Sequence, residues 1–178
     1  MNAHGQLTSA AAGCLSGQLK DQGYWVYYDH GPAAEFVGKI VVSYDENLTK
    51  KSEISQLDIA IIEKKSNKAI ALIEIEESVS NQKTLIGDFF AVLIGNSIYC
   101  PGKKRVDVGE WTSLVVIRKA SGHNDKNQHV LDMACNAKSV FGTNNCKIGR
   151  LVLESFNGKE NLEKVLMDQI EIAIRRIT

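Results

Sequence analysis

The chain has 178 residues, 44% of them hydrophobic and only two of them proline, which suits one domain of ordinary size with a real core and argues against disorder. Lys plus Arg and Asp plus Glu both number 21, so any contact with nucleic acid has to come from asymmetric placement of charge and not from net charge. Four cysteines stand far apart with no C-x-x-C pair, which excludes a zinc ribbon and disfavours a disulfide framework; reduced buried thiols are expected. The first residues carry neither the basic nor the apolar region of a secretory signal, and there is no apolar run of 18 residues, so a cytoplasmic protein that does not enter the membrane is expected.

In chain order, Leu7, Ala10, Ala11, Cys14, Leu15 and Leu19 recur at helical spacing, and Gly23 closes that helix. The aromatic run Tyr24–Tyr28 reads as a strand, broken by residues 29–32. Residues 36–44 read as a strand and 45–52 as a polar connection. Residues 56–62 and 69–76 then form two apolar strands around the polar turn at 63–68. A helix capped by Ser80 is expected over 81–95, from Leu85, Phe89, Val92 and Leu93. A short strand over 97–99, a loop over 101–105, a buried strand over 111–118, a helix over 126–140 and a strand over 146–153 follow. The helix at 159–177 has the clearest apolar stripe, read as core with a dimer interface as the alternative. The order predicts a single α/β domain over 1–178, with a mixed sheet containing an antiparallel hairpin.

The hairpin carries the chemistry. With Lys65-Ser66-Asn67 as a three-residue loop and Asn67 left-handed, residue 64 faces 68 and Asp58 falls opposite Glu74. One face then holds Asp58, Ala60 and Ile62 with Ile70, Leu72, Glu74 and Glu76; the other holds Leu57, Ile59 and Ile61 with Ala69, Ala71, Ile73 and Ile75. Like charges across neighbouring strands are destabilising, and a divalent cation is the simplest compensation for Asp58, Glu74 and Glu76. Glu77 projects to the opposite face and stands outside this set. The alternative is a strand end emerging into solvent, where acids are ordinary. Lys64, Lys65 and Lys68 lie at the far end and read as a solvated turn, whereas Lys103, Lys104, Arg105, Lys39, Lys50 and Lys51 are candidates for backbone contacts to nucleic acid. His123 and His129 have no ligand spacing.

A helix leading into a hairpin with Asp58 on one strand and Glu74-x-Glu76 on the next, then a helix and a strand, resembles the PD-(D/E)xK nuclease superfamily, the restriction-endonuclease-like fold. The resemblance covers about residues 6–118. It implies that Asp58 and Glu74 bind Mg²⁺, with Mn²⁺ as a substitute, and that the third position orients or activates the attacking water. Leu57 stands where the family often has Pro, and Glu76 where it usually has Lys; Lys83 on the following helix is the candidate for a relocated lysine. The implied activity is endonucleolytic hydrolysis of DNA, duplex by expectation, with Glu76 binding a second ion or positioning the water, and a homodimer suits a two-fold substrate. The competing reading is a silent domain of the same fold that binds nucleic acid or a protein.

Overall fold

The computed structural model describes residues 5–29, 37–78, 82–120, 127–145 and 147–177. The expected Ser80 cap, the break at 30–32, Phe36, His123 and Cys146 lie outside these residues. Among the described residues there are four α-helices and two sheets, and none of the helices is long and apolar enough to cross a membrane. The helices are α1 (Gln6–Leu19), α2 (Gln82–Leu93), α3 (Asn127–Asn145) and α4 (Lys159–Arg175). The larger sheet runs β1 (Tyr24–Tyr28), β4 (Ile59–Glu63), β5 (Ala69–Glu76), β8 (Ser113–Lys119), β9 (Arg150–Phe156). The smaller one runs β3 (Glu53–Leu57), β2 (Ile40–Ser43), β6 (Ser97–Cys100), β7 (Lys104–Val106).

In the larger sheet β1, β4 and β5 are antiparallel neighbours, while β5, β8 and β9 are parallel and joined through α2 and α3. Parallel strands need such crossovers, and their coverage on both faces explains the unbroken apolar run Leu114–Ile117, all at 0% exposure. One core lies between the sheet and α1 with α4, using Ala11, Leu15, Leu162, Leu166 and Ile170 against Ile59, Ile61, Ile73 and Val115. The other lies under α2, α3 and the smaller sheet, where Phe89, Val130, Ile40 and Ile98 meet Ala60, Leu72, Leu114 and Val116. The stripe of α4 is therefore core.

Several expectations change. The hairpin loop is Lys64–Asn67, with the Glu63 amide donating to the Lys68 carbonyl, although Asn67 does take the left-handed conformation at φ 58°. Ladder pairing is Ile61 with Ala71 but Ile62 with Ala69, so Ile70 is an extra residue in β5. That bulge restores the anticipated register for residues 59–61 and exchanges the faces of two residues: Ala69 enters the α2 core and Ile70 the α1 core. The run 56–62 is not one strand either. It divides at Asp58, with Leu57 ending β3 in the smaller sheet and Ile59 beginning β4 in the larger one, which places Leu57 in the α2 core. Residues 53–55, outside the expected elements, form most of β3, and Lys104 and Arg105 lie in β7 instead of a loop. Finally, α3 extends to Asn145 and β9 begins at Arg150.

Candidate functional site

The C-terminal ends of β5, β8 and β9 lie together, and α2 and α3 start from that end. Leu72 belongs to the α2 core and side chains alternate, so Glu74 and Glu76 continue on that face. Asp58 sits one residue before β4, where continuation of the Ile59–Ile73 register puts it beside Glu74. Three bonds hold it there. Its Oδ2 accepts the Ile75 amide at 2.7 Å, its carbonyl accepts the Asp29 amide at 3.0 Å, and its own backbone N–H bonds the Glu74 carboxylate.

A fourth acid, unforeseen from the sequence, joins them from above. Asp88 lies on α2, whose neighbouring Phe89 is 0% exposed and anchors the helix to the sheet. Asp88 Oδ2 is buried and has no hydrogen-bond partner. The signal was present in the spacing: Leu85, Asp88 and Val92 fall at i, i+3 and i+7, putting an acid on the apolar stripe of a helix.

Electrostatically Glu74 and Asp88 both feel the acids around them. Burial raises Glu74 well above the usual carboxylate range, and Asp58, Asp88 and Glu76 push it further; only the Asp58 backbone N–H opposes them. Asp88 is raised to about 7, first by burial and then by the charges of Glu76 and Asp58. A buried acid with a pKa near neutrality and like-charged neighbours at the mouth of a sheet is the pattern expected where a cation or a proton is part of the chemistry.

The same edge carries a cation. Register places Arg118 of β8 beside Glu76, and Ser155 of β9 beside Arg118. Arg118 is 7% exposed, and its Nε donates to Asn127 Oδ1 at 2.6 Å; Asn127, the first residue of α3, donates from Nδ2 to Ser155 Oγ at 2.8 Å.

Asp58, Glu74 and Glu76 are thus brought together, whereas Lys83 is exposed in the first turn of α2. Among the described residues no three His, Cys, Asp or Glu side chains converge closely enough to hold one ion as they stand. Asp58 Oδ2 is already engaged by Ile75, so ligation by three groups requires side-chain rotation. The donor set itself, carboxylates only with one buried oxygen lacking a partner, is of the hard type that suits Mg²⁺.

Other candidates lie elsewhere. Glu77 is on the α1 side, where its Oε1 accepts both the amide and the hydroxyl of Thr8 at 2.8 and 2.9 Å. Lys104 stands over the Trp25 ring at 3.7 Å, Lys68 over Trp111 at 4.5 Å, and Arg105 meets Glu46 at 3.7 Å. His129, Lys39, Lys50 and Lys51 are exposed. Cys100 is buried, its thiol pushed up to about 12, and is inert.

No family model matches the chain, and no curated protein or solved structure matches it either.

Proposed function

We propose that the chain is a metal-dependent DNA endonuclease of restriction-endonuclease-like fold, acting on duplex DNA through Mg²⁺ held at the Asp58, Glu74, Glu76 and Asp88 end of the larger sheet. The observation that carries the reading is Glu74, a half-buried carboxylate raised by burial and by three neighbouring acids, with the unpartnered Asp88 Oδ2 among them. In support of the reading, α1 and β1 precede an antiparallel hairpin bearing the acids and α2 follows it; β2 and β3 stand before the hairpin, and β6 and β7 of the smaller sheet stand between α2 and the parallel strand β8.

Asp58 and Glu74 would hold a first ion. Glu76 and Asp88 would extend the set towards a second, or position the attacking water. When bound, Mg²⁺ polarises the phosphoryl oxygen and lowers the pKa of a coordinated water. A homodimer acting on both strands accompanies this reading. The second reading, a silent binding domain of the same fold, is favoured by the lack of three converging ligands and by Glu76 in place of Lys.

The test is nicking of supercoiled plasmid with Mg²⁺, Mn²⁺ or EDTA, beside Asp58→Ala and Glu74→Ala. Metal-dependent cutting lost in both variants is expected. No cutting by the intact protein, together with no Mn²⁺ binding by calorimetry, overturns it in favour of the binding domain.

A further inference from the structure

We infer that the cleft on the outer face of the smaller sheet is a nucleotide subsite beside the acids, taking one unpaired base of the substrate strand on Val41, Leu48 and Tyr99 and its phosphate on Lys39. The inference rests on the nucleic-acid reading above and narrows its substrate to DNA with a nucleotide outside the stack.

Ile40, Val42, Ile98 and Cys100 face the α2 core, so alternation turns Lys39, Val41 and Tyr99 to the opposite face. With Leu48, Pro101 and Gly102 they line a cleft of about 280 Å³. Val41 and Tyr99, paired directly across β2 and β6, are 7% and 6% exposed. Residues 44–52 are tied down beside them by the Tyr99 hydroxyl, which donates to the Glu46 carbonyl. That segment is also held by its own bonds: Ser43 Oγ to the Asp45 carbonyl at 3.0 Å, Ser52 Oγ to the Asn47 carbonyl at 3.0 Å, and the Thr49 amide to Ser52 Oγ at 2.9 Å. The cleft is therefore built without an occupant, as ligand pockets usually are.

Its place ties it to the acids. The β2–β3 register pairs Ile40 with Leu57, and its continuation sets Lys39 beside Asp58; the β2–β6 register, continued the same way, sets Lys39 beside Pro101. The Gly38 amide donates to the Tyr28 carbonyl and the Asp29 amide to the Asp58 carbonyl, so both segments meet the end of β1 together. The cleft thus begins one to two strand spacings, about 5–10 Å, from Asp58. A volume of about 280 Å³ is just under the roughly 300–1,000 Å³ of pockets that enclose drug-sized ligands, so it admits one base and not a base pair. An apolar lining with an aromatic ring suits the flat base, and the exposed Lys39 suits the phosphate. Turning a base out costs least where it is already unpaired, which makes such a nucleotide the preferred occupant.

The plainer reading is a gap left where a loop crosses a sheet. Against it stand the cation on the Asp58 side and two glycines in the lining, of which Gly102, at φ 78°, has open space where a side chain would be.

The experiment follows backbone amide NMR signals while deoxynucleoside 5′-monophosphates, the parent nucleosides or inorganic phosphate are titrated in EDTA, for the intact protein, Lys39→Gln, Lys39→Arg and Val41→Phe. Saturable shifts at Val41, Leu48, Tyr99 and Gly102 are expected with nucleotides. Val41→Phe, which fills the cleft, abolishes them. Lys39→Gln weakens the nucleotide about fivefold, the range of one exposed ion pair, leaves the nucleoside unchanged, and is rescued by Lys39→Arg. Anisotropy in Ca²⁺ should also show a duplex with a one-nucleotide bulge binding more tightly than the same duplex with an abasic bulge, a preference lost in Val41→Phe. No saturable shift at these amides overturns the inference, as do equal shifts from inorganic phosphate alone or a bulge preference kept in Val41→Phe. Where Val41→Phe does not fold, the contrast of nucleotide with nucleoside in Lys39→Gln decides. Nicking by a protein whose cleft ignores nucleotides refutes this inference alone; cleft shifts in a protein that never nicks keep the subsite and refute the nuclease.

Discussion

The two ends of the β4–β5 hairpin are opposites in charge and in how that charge is settled. At the turn end, Lys64 donates to the Lys20 carbonyl at 2.9 Å, Lys68 covers Trp111 and Lys104 covers Trp25. Each of these three cations has a local partner and a flexible stem that reaches it. At the other end, some 20 Å away at 3.3 Å per residue, Glu74 and Asp88 are raised by partial burial and by the charges of neighbouring acids, with Arg118 on the next strand. A charge that folding satisfies locally is structure; a charge that folding leaves in conflict needs something from outside. The contrast locates the site better than the sign of either end does.

The largest effect expected from breaking this contrast is on the proposed activity: Asp58→Ala or Glu74→Ala should lower plasmid nicking by about 100-fold or more, because on that reading each removes a ligand of the ion that polarises the phosphoryl group. Stability should move the other way for Glu74. Glu74→Gln removes a buried charge from among like charges, and metal-free protein at pH 8 should gain about 1 kcal/mol or more by denaturant unfolding. A loss of stability would mean that the acids are not in conflict.

Asp88 sharpens the point through pH. Its folded pKa of about 7 exceeds its ordinary value of 3.8, so the folded state binds the proton more tightly. The stability this contributes is complete below pH 3.8 and is lost progressively as pH rises to about 7. Metal-free Asp88→Asn should therefore show a smaller decline in unfolding midpoint between pH 5 and pH 8 than the intact chain. Equal declines would remove Asp88 from the cluster. At the settled end the effects are smallest: Lys68→Ala and Lys104→Ala should each cost about 0.5–1 kcal/mol, the usual worth of a cation over an exposed ring, and leave Mn²⁺ binding unchanged.

Much of this contrast was legible in the residues. Glu74 and Glu76 interrupt a strand that is otherwise apolar, and counting back from a left-handed Asn67 reached the observed register for Ile59, Ala60 and Ile61 with their β5 partners. It did so although the loop is four residues long, because the Ile70 bulge offsets the error by one position. Local patterns do not reveal a bulge, since two apolar neighbours facing two apolar cores look like ordinary alternation. The division at Asp58 was hidden for a related reason. β3 is an edge strand, largely half-exposed, with Ile54 and Leu57 its apolar residues, so it lacks an alternating pattern and blends into the polar stretch before it. Asp88 was readable in its helical spacing. Arg118 closes an apolar strand, where a charge normally marks the exit to solvent; only the packing of α3 over β8 and β9 makes it interior.

The passage of the chain at Asp58 from the smaller sheet to the larger has a mechanical consequence. The residue before it ends β3 in one sheet, the residue after it opens β4 in the other, and its carboxylate is bonded to β5. Asp58 thus takes its place from both sheets at once, whereas Glu74 and Glu76 ride on β5 alone.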